Sequence, residues 1–365
     1  MPTKDIMILE SAPDLADNTY AVYQELIKRG LNKRYKIIWV LKNKRSTFNI
    51  ELPENVYLQN RVDGTKLDKL KYVFVLSRAK YIIDSNIYVN KMHSKQVRIH
   101  LKHGLPMKDA SRYNRDIGDV DLISVPCTYW VDVCAKEHGV DSSFIKPLGF
   151  ARNDELFLKE HNEKIIMWMP TFRNHSSEQN TSFDFCTIMP LGVPLVKSSK
   201  DLEKIDALLK NNNAYLLIRL HPAQDISNIN LSDMSNIKLC DEEFLRKHKK
   251  SLYSILTYTD ALISDYSSIY YDYLNLAKPI ALAVEDFEQY KKNNGILAKS
   301  CDEFKEMYPA QFLENYDDLL AFLQGVFDED PEVYKCAEAQ KKYMGFNDGN
   351  AAKRIVDYME KEFGL

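Results

Sequence analysis

Residues 261–280 read ALISDYSSIYYDYLNLAKPI, and the apolar run continues through ALAV to 284. The apolar stretch 261–264 has the length of a buried strand, and it ends in an acid and two small hydroxyls, Asp265, Ser267 and Ser268. The following IYYDYLNLAK places apolar side chains at helical spacing and stops before Pro279, after which a second short apolar run begins. Strand, polar turn, helix and strand in that order are a βαβ unit, in which the two strands are parallel because a helix carries the chain back between them.

The same rhythm extends outward in both directions. Strands are expected at 6–9, 36–41, 81–84, 97–101 and 121–125, with LADNTYAVYQELIKRG (15–30) as a helix closing on Gly30. After the polar stretch at 158–164 it resumes with strands at 165–169, 214–220, 261–265 and 279–284. Two doubly wound α/β halves follow, in keeping with a 365-residue chain and domains of about 150–200 residues. Residues 173–195 interrupt the rhythm for longer than an ordinary connection and are expected to form a mouth or lid.

Composition narrows the function classes. Hydrophobic residues make up 45% and charged residues 28%, which is ordinary for a globular protein and argues against disorder. A net charge of -3 gives no global attraction to nucleic acid. The six cysteines form no C-x-x-C pair and no zinc spacing, so they read as reduced thiols of a cytoplasmic chain. No stretch is long and apolar enough to act as a secretory leader or to span a bilayer, so any membrane contact is expected to be peripheral. The basic runs KRGLNKRYK (28–36) and KNKR (42–45) could meet anionic lipid, although a solvated charged face is the ordinary reading of such runs.

In open α/β sheets ligands bind beyond the carboxyl ends of the strands, where helix N-termini present unpaired N–H groups. Four such ends are unusually polar: HLKHGLPMK (100–108), MPTFR (169–173), IRLHP (218–222) and SDYSS (264–268). Three of them lie in the second half and carry groups suited to a phosphate: Thr171, Arg173, Arg219, His221, Ser267 and Ser268. Taken singly, each has a plainer reading: Asp265 and Ser267 as helix caps, His221 as a turn residue before Pro222, the arginines as surface charges. Their coincidence is what favours an anion site. No divalent metal is implied, since the D-V-D at 119–121 is short enough to arise by chance.

These segments resemble the CDP-glycerol glycerophosphotransferases of teichoic acid and capsule synthesis, including their CDP-ribitol relatives. The resemblance rests on ILES (8–11), HGLPMK (103–108), GFARND (149–154), PTFR (170–173), RLHP (219–222), SDYSSIYYDY (264–273) and DGNAAKRIVDYM (348–359), which recur in order over nearly the whole chain. Leu105 and Ala151 stand where the family usually has Thr and Pro. The resemblance implies a GT-B-like fold of two Rossmann-like domains facing across a cleft. The expected divisions are 1–160 on the acceptor side, 161–347 binding the CDP donor, and a helix at 348–365 returning to the first domain.

The implied reaction transfers glycerol or ribitol phosphate from CDP-glycerol or CDP-ribitol to a hydroxyl of a lipid-linked saccharide or polymer, releasing CMP, at the inner face of the membrane. His103 and His221 are the catalytic candidates, His103 as the base because imidazole suits proton transfer near neutrality. Thr171, Arg173, Arg219, Asp265, Ser267 and Ser268 would hold the donor. Glu10, Lys108, Arg152, Asp154 and Asp272 are candidates to orient substrate. A GT-B glycosyltransferase using a nucleotide sugar would share the fold and the diphosphate site; it differs in releasing a nucleoside diphosphate.

Overall fold

The computed structural model describes residues 3–43, 50–86, 89–108, 117–171, 189–220 and 230–365. In chain order its elements are β1 (Lys4–Glu10), α1 (Asp17–Lys28), β2 (Lys36–Leu41), β3 (Val56–Asn60), α2 (Lys66–Leu76), β4 (Ala79–Asp84), β5 (Val97–His100), β6 (Leu122–Val125), α3 (Tyr129–His138), β7 (Ile145–Pro147), β8 (Lys164–Trp168), α4 (Ser199–Asn211) and β9 (Ala214–Ile218). They continue with β10 (Ile237–Leu239), α5 (Glu242–His248), α6 (Leu252–Leu256), β11 (Ala261–Ser264), α7 (Ile269–Tyr273), β12 (Ile280–Ala283), α8 (Phe287–Asn294), α9 (Cys301–Met307), β13 (Gln311–Leu313), α10 (Tyr316–Phe327), α11 (Ala337–Tyr343) and α12 (Ala351–Phe363). The expected lid at 173–195 falls largely outside the described residues.

The chain divides into two compact units. The first draws on Met1–Gly104, Tyr113–Asp154 and Tyr343–Leu365, the second on Leu105–Arg112 and Glu155–Lys342. In the first, seven parallel strands lie in the order β3-β2-β1-β4-β5-β6-β7; in the second, six parallel strands lie in the order β10-β9-β8-β11-β12-β13. Each sheet starts in the middle, winds outward on one side, then crosses to the other, which puts a switch point between β1 and β4 and another between β8 and β11.

The central strands are apolar throughout because helices cover both faces of a parallel sheet. In the first unit Met7, Leu9, Trp39 and Ile99 pack with Val22 and Leu26 of α1 and Ile355, Val356 and Met359 of α12. On the opposite face Ile8, Val40 and Ile82 meet Leu76 of α2. In the second unit Ile166, Trp168, Ile263 and Ala281 pack with Leu202, Ile205 and Leu209 of α4 and Phe322 of α10.

Gly149 brings the segment after β7 beneath α12. Its φ is +96°, and a Cβ there would stand 2.7 Å from the Ala351 Cβ, so glycine is needed on both counts. Four strands, β3, β7, β10 and β13, lie outside the apolar runs of the sequence, and they are the four edges of the two sheets.

Candidate active site

In the first unit the site grows from the end of β5. Leu101 N–H donates to Asp84 O at 2.7 Å, and Lys102 then takes a left-handed turn with φ 54°. Asn18, in the first turn of α1, holds that turn by donating from Nδ2 to Leu101 O (3.3 Å) and Lys102 O (2.9 Å). Arg152 N–H donates to Asn18 Oδ1 at 3.0 Å, while the Arg152 guanidinium donates to His103 O and, at 2.7 Å, to Asp17 Oδ1. The ring of His103 is thus carried on a turn fixed from two other segments.

His103 Nδ1 lies 2.5 Å from Asp17 Oδ2, with 56% of the His103 side chain exposed and only 3% of Asp17. Burial would raise the Asp17 carboxyl, but Arg152 and His103 outweigh it and hold the group below the usual carboxylate range. An ionised Asp17 takes the Nδ1 proton as its hydrogen bond, which leaves the basic lone pair of neutral imidazole on Nε2. This is the arrangement of a general base oriented by a carboxylate.

Beneath this turn lies a buried charge network. Asp84 accepts from Arg98 Nε at 2.8 Å and stands 2.6 Å from His100 Nδ1. Lys102 Nζ donates to Glu137 at 2.6 Å and lies 3.1 Å from His138 Nε2. Cys134, Glu137 and His138 bring one ligand atom each within 4.8 Å of one another, as a metal would require. The Lys102 ammonium already stands on Glu137 and His138 and also acts on the Cys134 thiol, so the cluster is an ion-pair network with its cation built in. Asp119 and Asp121 of the D-V-D segment pair with Lys91, and Asp121 also accepts the Arg98 N–H.

In the second unit the switch point between β8 and β11 is closed by Asp265. Its carboxylate accepts from Thr171 N at 2.9 and 3.0 Å, from Thr171 Oγ1 at 2.8 Å and from Tyr266 N at 2.7 Å. Asp265 therefore ties the loop after β8 to the loop after β11 instead of capping α7. Tyr266 stacks on Tyr290 at 4.3 Å, and Lys108 Nζ stands 5.3 Å from the Tyr290 ring centre. Burial chiefly raises the Tyr290 hydroxyl, with Lys108 and Thr171 as hydrogen-bond partners pulling the other way. Ser267 and Ser268 follow at partial exposure, and Ser268 makes no side-chain cap to α7.

Arg219 donates to Cys240 O at 2.8 Å and pairs with Glu242 at 2.5 Å. Asp154 gives both oxygens to the start of α12, accepting from Ala351 N (2.8 Å) and Ala352 N (2.7 Å). Asp272 is buried and accepts from Tyr253 OH at 3.0 Å. Glu10 ends β1 beside Asp84 at the first switch point. Arg173 and His221 lie outside the described residues. Asp17, Asn18 and Tyr290 join these sites without having been expected. The signal for the first two was the D-N pair opening the helix that follows the first strand, since a polar pair there faces the carboxyl edge of the sheet.

With this geometry established, three comparisons bear on the chain. The model of the family described as CDP-Glycerol:Poly(glycerophosphate) glycerophosphotransferase matches residues 2–361. Similar curated proteins include the teichoic acid ribitol-phosphate polymerase TarL of Staphylococcus aureus, 24% identical over 95% of this chain and 60% of its own length. A teichoic acid poly(glycerol phosphate) polymerase of Bacillus spizizenii is 23% identical over 95% of this chain and 89% of its own. The chain spans less than two thirds of the length of TarL and of TarK, 60% and 66% respectively. Among solved structures, that of the wall teichoic acid polymerase TagF soaked with CDPG is similar at a TM-score of 0.74 and 20% identity, covering 99% of this chain and 90% of that one. The two share a GT-B-like fold.

Proposed function

Because this chain belongs to the CDP-Glycerol:Poly(glycerophosphate) glycerophosphotransferase family, we propose that it transfers glycerol phosphate or ribitol phosphate from a CDP-alditol to a hydroxyl of a lipid-linked saccharide or growing alditol-phosphate polymer. The observation that carries this reading is the exposed His103 ring with its Nδ1 held by the buried Asp17–Arg152 pair. His103 Nε2 takes the proton of the acceptor hydroxyl as its oxygen bonds to the β-phosphorus. The bond from that phosphorus to the bridging oxygen breaks, and CMP leaves with the electron pair. Such a displacement needs positioned charge and a proton acceptor more than covalent catalysis.

The first unit is the acceptor side on this reading, and the second is the donor side. Ser267 and Ser268 donate to the diphosphate, with Arg173, Arg219 and His221 supplying positive charge; Thr171, whose N–H and hydroxyl are both given to Asp265, shapes the loop beside them. Asp265 acts through the loop it holds, since its oxygens are already given to Thr171 and Tyr266.

A lipid-linked acceptor calls for contact with an anionic membrane surface. No helix of the described residues is long and apolar enough to cross a membrane. The face of α2 supports a peripheral contact: Leu67, Leu70, Val73 and Phe74 are all exposed, Leu70 at 68%, with the exposed Lys66, Lys69 and Lys71 on the same helix. Apolar residues flanked by lysines are what an interfacial helix presents to anionic lipid. Of the basic runs in the sequence, 42–45 reaches beyond the described residues.

The donor assignment is tested by thermal unfolding with CDP-glycerol, CDP-ribitol, a UDP-sugar and a GDP-sugar. A CDP-alditol at a hundred times its Kd should stabilise the fold by about 2.7 kcal/mol, with no comparable effect from the sugar nucleotides. Stabilisation by a UDP- or GDP-sugar alone would overturn it.

A further inference from the structure

Beside the switch point of the first sheet, on the β2 side of β1, a cavity of about 120 Å³ is lined by Glu10, Ser11, Ala12, Val40, Lys42 and Arg61, the residues at and just beyond the carboxyl ends of β1, β2 and β3. That is far more than the roughly 10–15 Å³ a single water needs, and it is room for a short polyol. Glu10 is 3% exposed, and its Oε2 is buried with no hydrogen-bond partner among the described residues. Leaving a buried carboxyl oxygen unmatched is costly, so this one marks a place for a ligand atom.

The groups around Glu10 define what that atom would meet. Burial first, then the neighbouring Asp84, push the Glu10 carboxyl up to about 8; Arg61 and the Asn86 N–H act in the opposite sense, while Asp14 adds to the rise. Tyr72 also faces this group and is itself raised by burial. Near neutral pH Glu10 is therefore an un-ionised acid with a proton to donate and an oxygen to accept with, which suits an alcohol. Lys42 and Arg61, both cationic residues, line the same cavity, and the Arg61 charge acts on Glu10, which suits a phosphate.

We propose that this cavity is a subsite for one alditol-phosphate unit of the acceptor, with a polyol hydroxyl on Glu10 and the phosphate at Lys42 and Arg61. The proposal rests on the transferase reading above and names where, in the first unit, the acceptor chain is gripped.

The test is a calorimetric titration of the full chain with sn-glycerol 3-phosphate while CDP saturates the donor site. Binding is expected near neutral pH and should weaken as pH rises past about 8, where Glu10 ionises and repels the phosphate. Glu10→Gln should bind within a few-fold of wild type near neutrality and lose the alkaline fall. Lys42→Met with Arg61→Met should weaken binding about tenfold or more, and inorganic phosphate or glycerol alone should each bind about tenfold more weakly than the joined molecule. The subsite is overturned if glycerol 3-phosphate does not bind beside CDP, if the alkaline fall persists in Glu10→Gln, or if inorganic phosphate binds equally well. Failure of CDP itself to bind overturns the transferase reading, and the subsite falls with it.

Discussion

At the scale of single residues the account turns on His103 and the carboxylate behind it. His103→Ala should lower turnover by roughly 10²–10⁴-fold and leave donor affinity nearly unchanged, as expected for loss of a general base. Asp17→Asn should cause part of the same loss, and adding it to His103→Ala should cause almost none, because Asp17 acts only through the ring it orients. Steady-state kinetics of the two single variants and the double variant check this; additive losses would make Asp17 a separate contributor. His103 could be singled out in the sequence because it follows a strand end and is itself followed by Gly104 and Pro106, which permit a sharp turn. Asp17 could not be, because it stands 86 positions away in a stretch whose apolar spacing spoke only of a helix. Asp265 was legible as a special acid but not in its task, since the Thr171 groups that it binds belong to a loop 94 positions earlier.

At the scale of elements, the strands that could be read were those buried on both faces, where a run of apolar residues is unavoidable. The four that escaped are edges. β7 is three residues long and includes Pro147, which has no N–H for a ladder; β10 and β13 are equally short, and β3 ends in the polar Gln59 and Asn60. Edge strands need little apolar surface, so they leave little trace. α12 offers a prediction at this scale. Asp154→Ala removes the acceptor for the first two N–H groups of that helix and should cost about 1–3 kcal/mol, seen as a lower denaturant midpoint with an unchanged slope. For α2, Leu70→Glu together with Phe74→Glu should sharply reduce binding to anionic vesicles without changing the unfolding midpoint, as both side chains already face solvent. Vesicle binding equal to wild type would move the membrane contact to another surface.

For the whole molecule, two parallel sheets with the same internal winding give two switch points, and the candidate groups gather at both: Glu10, Asp17 and His103 in the first unit, Thr171, Asp265 and Tyr290 in the second. The fold was readable because both sheets repeat one rhythm of apolar run and amphipathic helix. The candidate sites were readable only in part, because Asp17 and Thr171, which hold His103 and Asp265, stand far from them in the chain. A GT-B-like fold also serves proteins of other chemistry, so the fold alone does not fix the reaction. The most direct measurement supplies the chain with CDP-glycerol or CDP-ribitol, labelled in the alditol and in the cytidine, and a lipid-linked saccharide acceptor. The account predicts one CMP released for each alditol phosphate that enters the acceptor. Release of CDP with transfer of the bare alditol, or transfer only from a sugar nucleotide with release of its nucleoside diphosphate, would contradict it.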